Sequence, residues 1–207
     1  MPVRSPLRLA VCISGRGSNL EALLRALGPG APAEVALVLS NRASAAGLER
    51  AAERGVPSAV LADPGDAAEW LGHLERHRID LVVLAGYLKL VPEGVIARYG
   101  GRILNIHPAL LPDFGGHGMY GRRVHEAVLA SGAATSGATV HLVDEVYDRG
   151  EILAQARVPV LPGDTPDTLA ARVLEAEHRL LPAVVLAAAE AGRPVPLPHF
   201  TFAEHTS

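Results

Sequence analysis

The chain has 207 residues, 49% of them hydrophobic and 20% charged, a composition typical of a globular protein with one sizeable core. Its net charge of −3 shows no basic excess, so nucleic acid is not an expected partner. The single cysteine, Cys12, excludes an intramolecular disulfide and suits a reducing compartment. The apolar stretches are too short to span a membrane, and the first residues lack a signal-peptide core. We therefore predict a cytoplasmic protein with no membrane partner.

Short apolar runs alternate with helical patterns through the first half of the chain. The predicted strands occupy residues 7–13, 34–40, 57–62, 79–87 and 102–107. The helices predicted between them cover residues 18–27, 44–55, 67–78 and 92–100. Strand–helix–strand alternation requires right-handed crossovers. It predicts an α/β fold with a mainly parallel, twisted sheet and helices on both faces.

The second half of the chain changes character. It begins with a predicted helix over residues 124–132 and continues with strands over 136–144 and 151–160, which suit an antiparallel pair. A long helix is predicted over residues 163–192. Thr165 is its predicted N-cap, Pro166 suits its first turn, Gly192 ends it and Pro182 kinks it. We expect one domain over residues 1–207, with a loose C-terminal tail from about residue 195.

The first loop, Ser14-Gly15-Arg16-Gly17-Ser18-Asn19, joins the first strand to the first helix. Gly15 and Gly17 allow a ligand close to the backbone, and the free N–H groups of a helix start favour an anion. Ser18 and Asn19 add a hydroxyl and an amide. This loop predicts a phosphate site, with an ordinary glycine turn capped by Ser18 as the alternative. It lacks the third glycine of the dinucleotide-binding fingerprint.

Asn105 and His107 end the strand predicted over residues 102–107. Residues two apart in a strand point to the same side, here at the carboxyl edge where open α/β sheets bind ligands. An amide donor beside an imidazole would polarise a carbonyl and stabilise the oxyanion that forms on it. The alternative is that both side chains satisfy backbone groups in the turn fixed by Pro108.

Acidic residues gather around the bend that follows residue 143. They are Asp144, Glu145, Asp148 and Glu151, and carboxylates in turns usually face water. If Asp148 folds onto His107, it would orient the imidazole and stabilise its charged form. The sequence has no histidine or cysteine pattern that suggests a metal site, and Cys12 is expected in the core rather than as a nucleophile.

Several segments together resemble the folate-dependent formyltransferases, and among them the phosphoribosylglycinamide formyltransferases of purine synthesis. The resemblance covers nearly the whole chain in the right order. It is carried by SGRGSNLEAL (14–23), LAGYLKLV (84–91), LNIHPALLP (104–112), SGATVHLVDEVYDRGEILAQ (136–155) and LAARVLEAEH (169–178). It implies a Rossmann-like formyltransferase fold and small-molecule substrates, and it allows a homodimer.

The resemblance also implies a role for each group of residues. Gly15, Gly17, Ser18 and Asn19 would hold the substrate phosphate, and Glu177 would face the substrate amine. Asn105, His107 and Asp148 would be catalytic, with Asp148 relaying protons through water. The donor would be 10-formyltetrahydrofolate, with no metal required. Its pterin would contact Leu88, Lys89, Leu90, Val91, Val143, Asp144 and Glu145.

Three departures from the family pattern stand out. The run 113–123, DFGGHGMYGRR, is longer and richer in glycine than in the best-known members, Leu174 replaces a polar residue, and Gly150-Glu151 replaces Gly-Pro. They leave the binding details open, including whether His117, Arg122 or Arg123 contacts the phosphate. The alternatives are another folate-dependent formyltransferase or hydrolase, a nucleotide-binding protein, and a non-catalytic binding module.

Overall fold

The computed structural model describes residues 5–197 and residue 200. Its strands are β1 (Leu7–Ile13), β2 (Ala33–Ser40), β3 (Ser58–Val60), β4 (Leu81–Leu84), β5 (Ile103–His107), β6 (Thr135–Leu142) and β7 (Ile152–Pro159). Its helices are α1 (Ser18–Ala26), α2 (Gly47–Glu53), α3 (Ala67–Arg76), α4 (Glu93–Tyr99), α5 (Arg122–Ser131) and α6 (Pro166–Ala191). Every helix and strand predicted from the sequence is present.

The strands form one sheet in the order β3-β2-β1-β4-β5-β6-β7. Strands β1 to β5 pair in parallel, whereas β5–β6 and β6–β7 are antiparallel. The prediction of a mainly parallel sheet with an antiparallel C-terminal part is therefore confirmed. The chain order reverses at β1, where β4 lies beside β1 on the side away from β2, and this switch point opens a crevice at the carboxyl edge.

Two apolar clusters cover the two faces of the sheet. Alternate residues of β1 point to opposite faces of the sheet. Leu9 and Val11 belong to the first cluster, and Ala10 and Cys12 belong to the second. The first cluster contains buried side chains of α1, α2, α5 and α6, and the second contains those of α3 and α4. The sheet is thus covered by helices on both faces, as predicted, and Cys12 is fully buried in the core.

Several elements are shorter than predicted because apolar residues continue into turns. The strand predicted over 79–87 is regular only from Leu81 to Leu84, and the backbone then turns through Gly86, whose φ is 77°. The helix predicted over 44–55 begins at Gly47, because residues before it form turns. Because β4 ends at Leu84, residues 86–91 form a loop at the carboxyl edge of the sheet.

Helix α6 begins at Pro166, behind a capping box formed by Thr165 and Thr168, and it ends before Gly192 as predicted. It runs on through Pro182, and the predicted kink there stays a prediction. Leu197 donates its backbone N–H to the Leu153 carbonyl. Most of the predicted loose tail, residues 198–199 and 201–207, lies outside the described residues. No helix in the described part of the chain is long and apolar enough to cross a membrane.

Candidate active site

A cavity of about 1020 Å³ lies at the carboxyl edge of the sheet, at the switch point between β1 and β4. Its walls come from the loops after β1, β4, β5 and β6 and from one face of α6. Nearly all the site residues predicted from the sequence line it; the exception is Glu145, an exposed residue outside the lining. The structure therefore brings together segments that are as far apart in the chain as Gly15 and Glu177.

The first loop enters α1 through Gly17, which is the N-cap residue and has a φ of 71°. The alternative of a turn capped by Ser18 is wrong, because Ser18 is the first helical residue and no side chain caps the helix. A Cβ on Gly17 would lie 2.7 Å from the Cα of Gly47, so the turn requires glycine. The uncapped N–H groups at the start of α1 border the cavity and can bind an anion.

Asn19 and Glu177 form a buried pair on the same side of the cavity. The Nδ2 of Asn19 donates to the Oε2 of Glu177 at 2.7 Å. Burial raises the pKa of Glu177 to about 7, although the hydrogen bond from Asn19 opposes this rise. The Oδ1 of Asn19 is buried without a hydrogen-bond partner. Two acceptors beside each other suit a ligand rich in N–H or O–H donors.

Asn105 and His107, at the end of β5, face the same cavity, and the loop after β6 brings Asp148 to them. The Oδ2 of Asp148 is 3.6 Å from the Nδ1 of His107, and its Oδ1 is 3.4 Å from the Nδ2 of Asn105. The Nε2 of His107 donates to the Phe114 carbonyl at 2.9 Å, which leaves Nδ1 as the unprotonated nitrogen of the neutral ring. The three predicted side chains are thus in contact.

In this cluster, burial of His107 and the charge of Asp148 shift the pKa of His107 in opposite directions. Burial lowers the pKa of His107 by more than the Asp148 carboxylate and the Phe114 carbonyl raise it. Burial tends to raise the pKa of Asp148, but His141, the charge of His107 and neighbouring donors bring it below its ordinary value. Asp148 thus favours the charged form of His107, as predicted, but burial outweighs this effect and the net pKa of His107 is lowered. At neutral pH the cluster holds a carboxylate beside a neutral imidazole.

The residues predicted to contact folate surround the opposite end of the cavity. Leu88, Lys89, Leu90 and Val91 follow β4, and Val143 and Asp144 follow β6. Leu88 and Leu90 are exposed at the mouth together with Val146 and Tyr147, which the sequence analysis did not single out. The Asp144 carboxylate accepts the N–H of Val146 at 2.8 Å and so shapes its own turn. The mouth is therefore an apolar rim suited to a planar, partly apolar ligand.

Sequence reasoning missed two buried histidines in the cavity wall. His141 lies opposite Asn105 in the β5–β6 pairing, with its Nε2 3.0 Å from the Nδ2 of Asn105. His125, on α5, is buried with its Nδ1 unpartnered, and burial lowers its pKa, with a smaller contribution from His107. The pairing register of β6 places His141 in the cavity wall, and the packing of α5 places His125 there. A local sequence pattern could not predict either position. In the described residues no group of three or more histidine, cysteine or acidic side chains is arranged to hold a metal.

Comparison with known proteins agrees with this fold. Residues 7–185 match the family described as formyl transferase, and the chain belongs to that family. A phosphoribosylglycinamide formyltransferase from Haemophilus influenzae is 38% identical, with 86% of this chain aligned to 85% of that protein. A crystal structure of phosphoribosylglycinamide formyltransferase from Anaplasma phagocytophilum has a TM-score of 0.84 and 40% identity, covering 90% of this chain and 88% of that one.

A plant relative is longer than this chain. The chloroplastic phosphoribosylglycinamide formyltransferase of Arabidopsis thaliana is 46% identical over 191 residues, which are 88% of this chain. The alignment spans 65% of the plant protein. The family is thus established by sequence and fold together.

Proposed function

We propose that the protein transfers the formyl group of 10-formyltetrahydrofolate to the amino group of 5'-phosphoribosylglycinamide, giving formylglycinamide ribonucleotide and tetrahydrofolate in purine biosynthesis. The observation that carries the proposal is the contact between Asn105, His107 and Asp148 in a cavity with an anion-binding helix start. Formyl transfer needs an oxyanion donor and a proton carrier, and this cluster supplies both.

The amine substrate would occupy the end of the cavity formed by α1 and α6. Its phosphate would lie at the N–H groups of Gly17, Ser18 and Asn19, where the helix dipole also favours negative charge. The Asn19 side chain already donates to Glu177, so Asn19 would bind phosphate through its backbone. Glu177 would ionise as a cationic amine approaches, because an adjacent positive charge favours the carboxylate.

The folate would enter from the apolar rim, with its pterin against residues 88–91 and residues 143–144. Leu88 is anchored there, because its N–H donates to the Oγ of Ser14 at 2.9 Å. Its donated formyl group would then reach the catalytic cluster from the side opposite the amine. Holding both substrates in one cavity replaces an encounter in solution by a reaction between neighbours, which lowers the entropic part of the barrier.

The reaction would begin after the substrate ammonium has lost a proton to solvent, when the neutral amine nitrogen attacks the formyl carbon and the carbonyl electron pair moves to oxygen. Asn105 would donate an N–H to this oxyanion. Neutral His107 would accept a proton from the attacking nitrogen and then give it to the folate nitrogen as the carbon–nitrogen bond breaks and the C=O re-forms. Asp148, with its lowered pKa, is a poor proton relay and would instead stabilise the imidazolium.

A tetrahydrofolate-release assay with and without glycinamide ribonucleotide tests the proposal. We expect release that depends on the acceptor and that falls by roughly 100-fold or more in His107→Ala and Asp148→Asn. His73→Ala, on α3 and outside the cavity lining, is the matched control and should behave as wild type. Release without the acceptor would indicate a hydrolase, and no release in either case would contradict the proposed substrates.

A further inference from the structure

His141 is a buried histidine whose two ring nitrogens both have partners. It lies on β6 and is 2% exposed. Its Nδ1 is 2.8 Å from the Leu142 carbonyl. Its Nε2 is 3.0 Å from the Nδ2 of Asn105 and 3.4 Å from the Oδ1 of Asp148. The side chain therefore lies directly behind two residues of the catalytic cluster.

These contacts define the tautomer of His141. A carbonyl can only accept, so Nδ1 carries the hydrogen that it donates to Leu142. The Nε2 of the neutral ring is then an acceptor, and it takes an N–H from Asn105. The reverse amide orientation would place the Asn105 oxygen near the Asp148 carboxylate, where two acceptors repel. His141 and Asp148 together thus favour one orientation of the Asn105 amide.

The second N–H of Asn105 stays available in this arrangement. The three distances place Nε2 of His141 and Oδ1 of Asp148 at an angle of about 64° around Nδ2, roughly half the angle between the N–H bonds of a planar amide. When one N–H points at His141, the other cannot align with Asp148. The hydrogen bond from Asn105 to Asp148 is accordingly long, at 3.4 Å, and poorly aligned, so a substrate oxygen can replace Asp148 as the acceptor of the second N–H.

We infer that His141 is a positioning residue, which accepts one N–H of Asn105 and so holds the other toward the formyl oxygen. The inference rests on the proposed formyl transfer for its catalytic consequence. Without an acceptor at this place the amide can turn over and present its own oxygen to the developing oxyanion. Such a turn would weaken the transition state while leaving the binding of either substrate almost unchanged.

Kinetics of two substitutions test the inference. His141→Leu removes the acceptor, and we expect kcat to fall roughly 10- to 100-fold with less than about a 3-fold change in KM. His141→Gln keeps an oxygen that can accept the same N–H, and it should retain kcat within about 5-fold of wild type. If both variants lose activity equally, or if KM rises while kcat stays, His141 does not act by positioning Asn105.

A double-mutant cycle separates positioning from a general structural role. In an Asn105→Ala background His141→Leu should cost less than about 3-fold in kcat, because the amide that it orients is gone. An undiminished loss in that background would overturn the inference. His73→Leu, far from the cavity, should have no effect in either background and serves as the control.

Long-range ¹H–¹⁵N correlation of the imidazole nitrogens provides a test that needs no turnover. The His141 signals, assigned by their disappearance in His141→Gln, should show a hydrogen on Nδ1 and none on Nε2 in the neutral ring. A hydrogen on Nε2 would contradict the inference even in an active enzyme. If wild type transfers no formyl group, the proposed function fails, whereas the spectrum still decides the arrangement of His141 and Asn105.

Discussion

His107 is a buried imidazole whose two nitrogens face different partners, a carbonyl and a carboxylate. Burial lowers its pKa more than Asp148 restores it, so the ring is neutral and able to accept a proton near neutral pH. Both proton transfers of the proposed reaction, from the attacking amine and to the folate nitrogen, pass through this ring. The pH dependence of the reaction should therefore depend on Asp148 in a defined direction.

Replacing Asp148 by asparagine removes the negative charge that favours imidazolium. We expect the acid limb of the kcat profile, where His107 becomes protonated, to move to lower pH, and kcat to fall roughly 100-fold. The profile is measured with both substrates saturating, so that the substrate amine contacts Glu177 at every pH. An acid limb that moves to higher pH, or stays in place, would show that His107 is not the group responsible.

Gly115 lies against the catalytic carboxylate. An added Cβ would be 2.5 Å from the Cδ2 of Leu111 and 3.1 Å from the Cβ of Asp148. Gly115→Ala should therefore displace Asp148 and lower kcat by roughly 10-fold. Gly72→Ala is the matched control on the exposed side of α3, where a Cβ meets no atom within 4 Å. It should leave kcat unchanged and raise stability by about 0.5–1 kcal/mol. Equal kcat values in both variants would show that a Cβ at position 115 does not displace Asp148.

Helix α6 packs on the sheet through its buried apolar side chains and carries buried Glu177 at the cavity, so we propose both a structural and a binding role for it. A carboxyl group buried there favours its protonated form, and burial raises its pKa to about 7 from 4.5. The folded protein then keeps a proton that the unfolded chain releases between these pH values. Stability is consequently lost as the pH rises through this window.

Glu177→Gln removes this titration and keeps an acceptor for Asn19. Without substrates the variant should be more stable than wild type at pH 8, by up to about 3 kcal/mol, and of similar stability at pH 4. Urea unfolding at the two pH values measures the difference. Glu175→Gln, an exposed position on the same helix, should show no such pH dependence. A Glu177→Gln variant less stable than wild type at pH 8 would contradict the burial argument.

Periodicity was sufficient to predict the elements and the shared direction of Asn105 and His107, since a strand has a fixed repeat of two residues. It could not predict His141, because that contact depends on the register of β6 against β5. The neutral state of His107 likewise follows from how deeply packing buries it. The family resemblance supplied the roles of Glu177 and the folate residues, which no local pattern in the sequence indicates.

Across the whole molecule, the loops after β1, β4, β5 and β6 and one face of α6 surround the cavity in which we propose that the reaction occurs. The cavity draws its walls from both ends of the chain, with the first loop beside α6, where Asn19 contacts Glu177. A ligand that binds there bridges the two ends and should stabilise the complete fold. Binding to the folded state alone at 100 times Kd contributes about 2.7 kcal/mol.

Glycinamide ribonucleotide alone should therefore raise the melting temperature of the protein, by roughly 5–10 °C at that concentration for a chain of this size. Gly17→Ala should lose most of this shift, because its Cβ would collide with Gly47 and its φ of 71° disfavours alanine. Differential scanning fluorimetry measures both proteins. A variant that keeps the full shift would indicate that the phosphate binds elsewhere.

Following a labelled formyl carbon tests the proposed transfer to the amine without a coupled reaction. Purified protein is incubated with 10-formyltetrahydrofolate carrying ¹⁴C in the formyl group and with glycinamide ribonucleotide, and the products are separated. We predict that the label moves to the ribonucleotide and that Asn105→Ala and His107→Ala slow this movement by roughly 100-fold or more, while His73→Ala does not. Label recovered as formate, or remaining on the folate, would contradict formyl transfer to the amine.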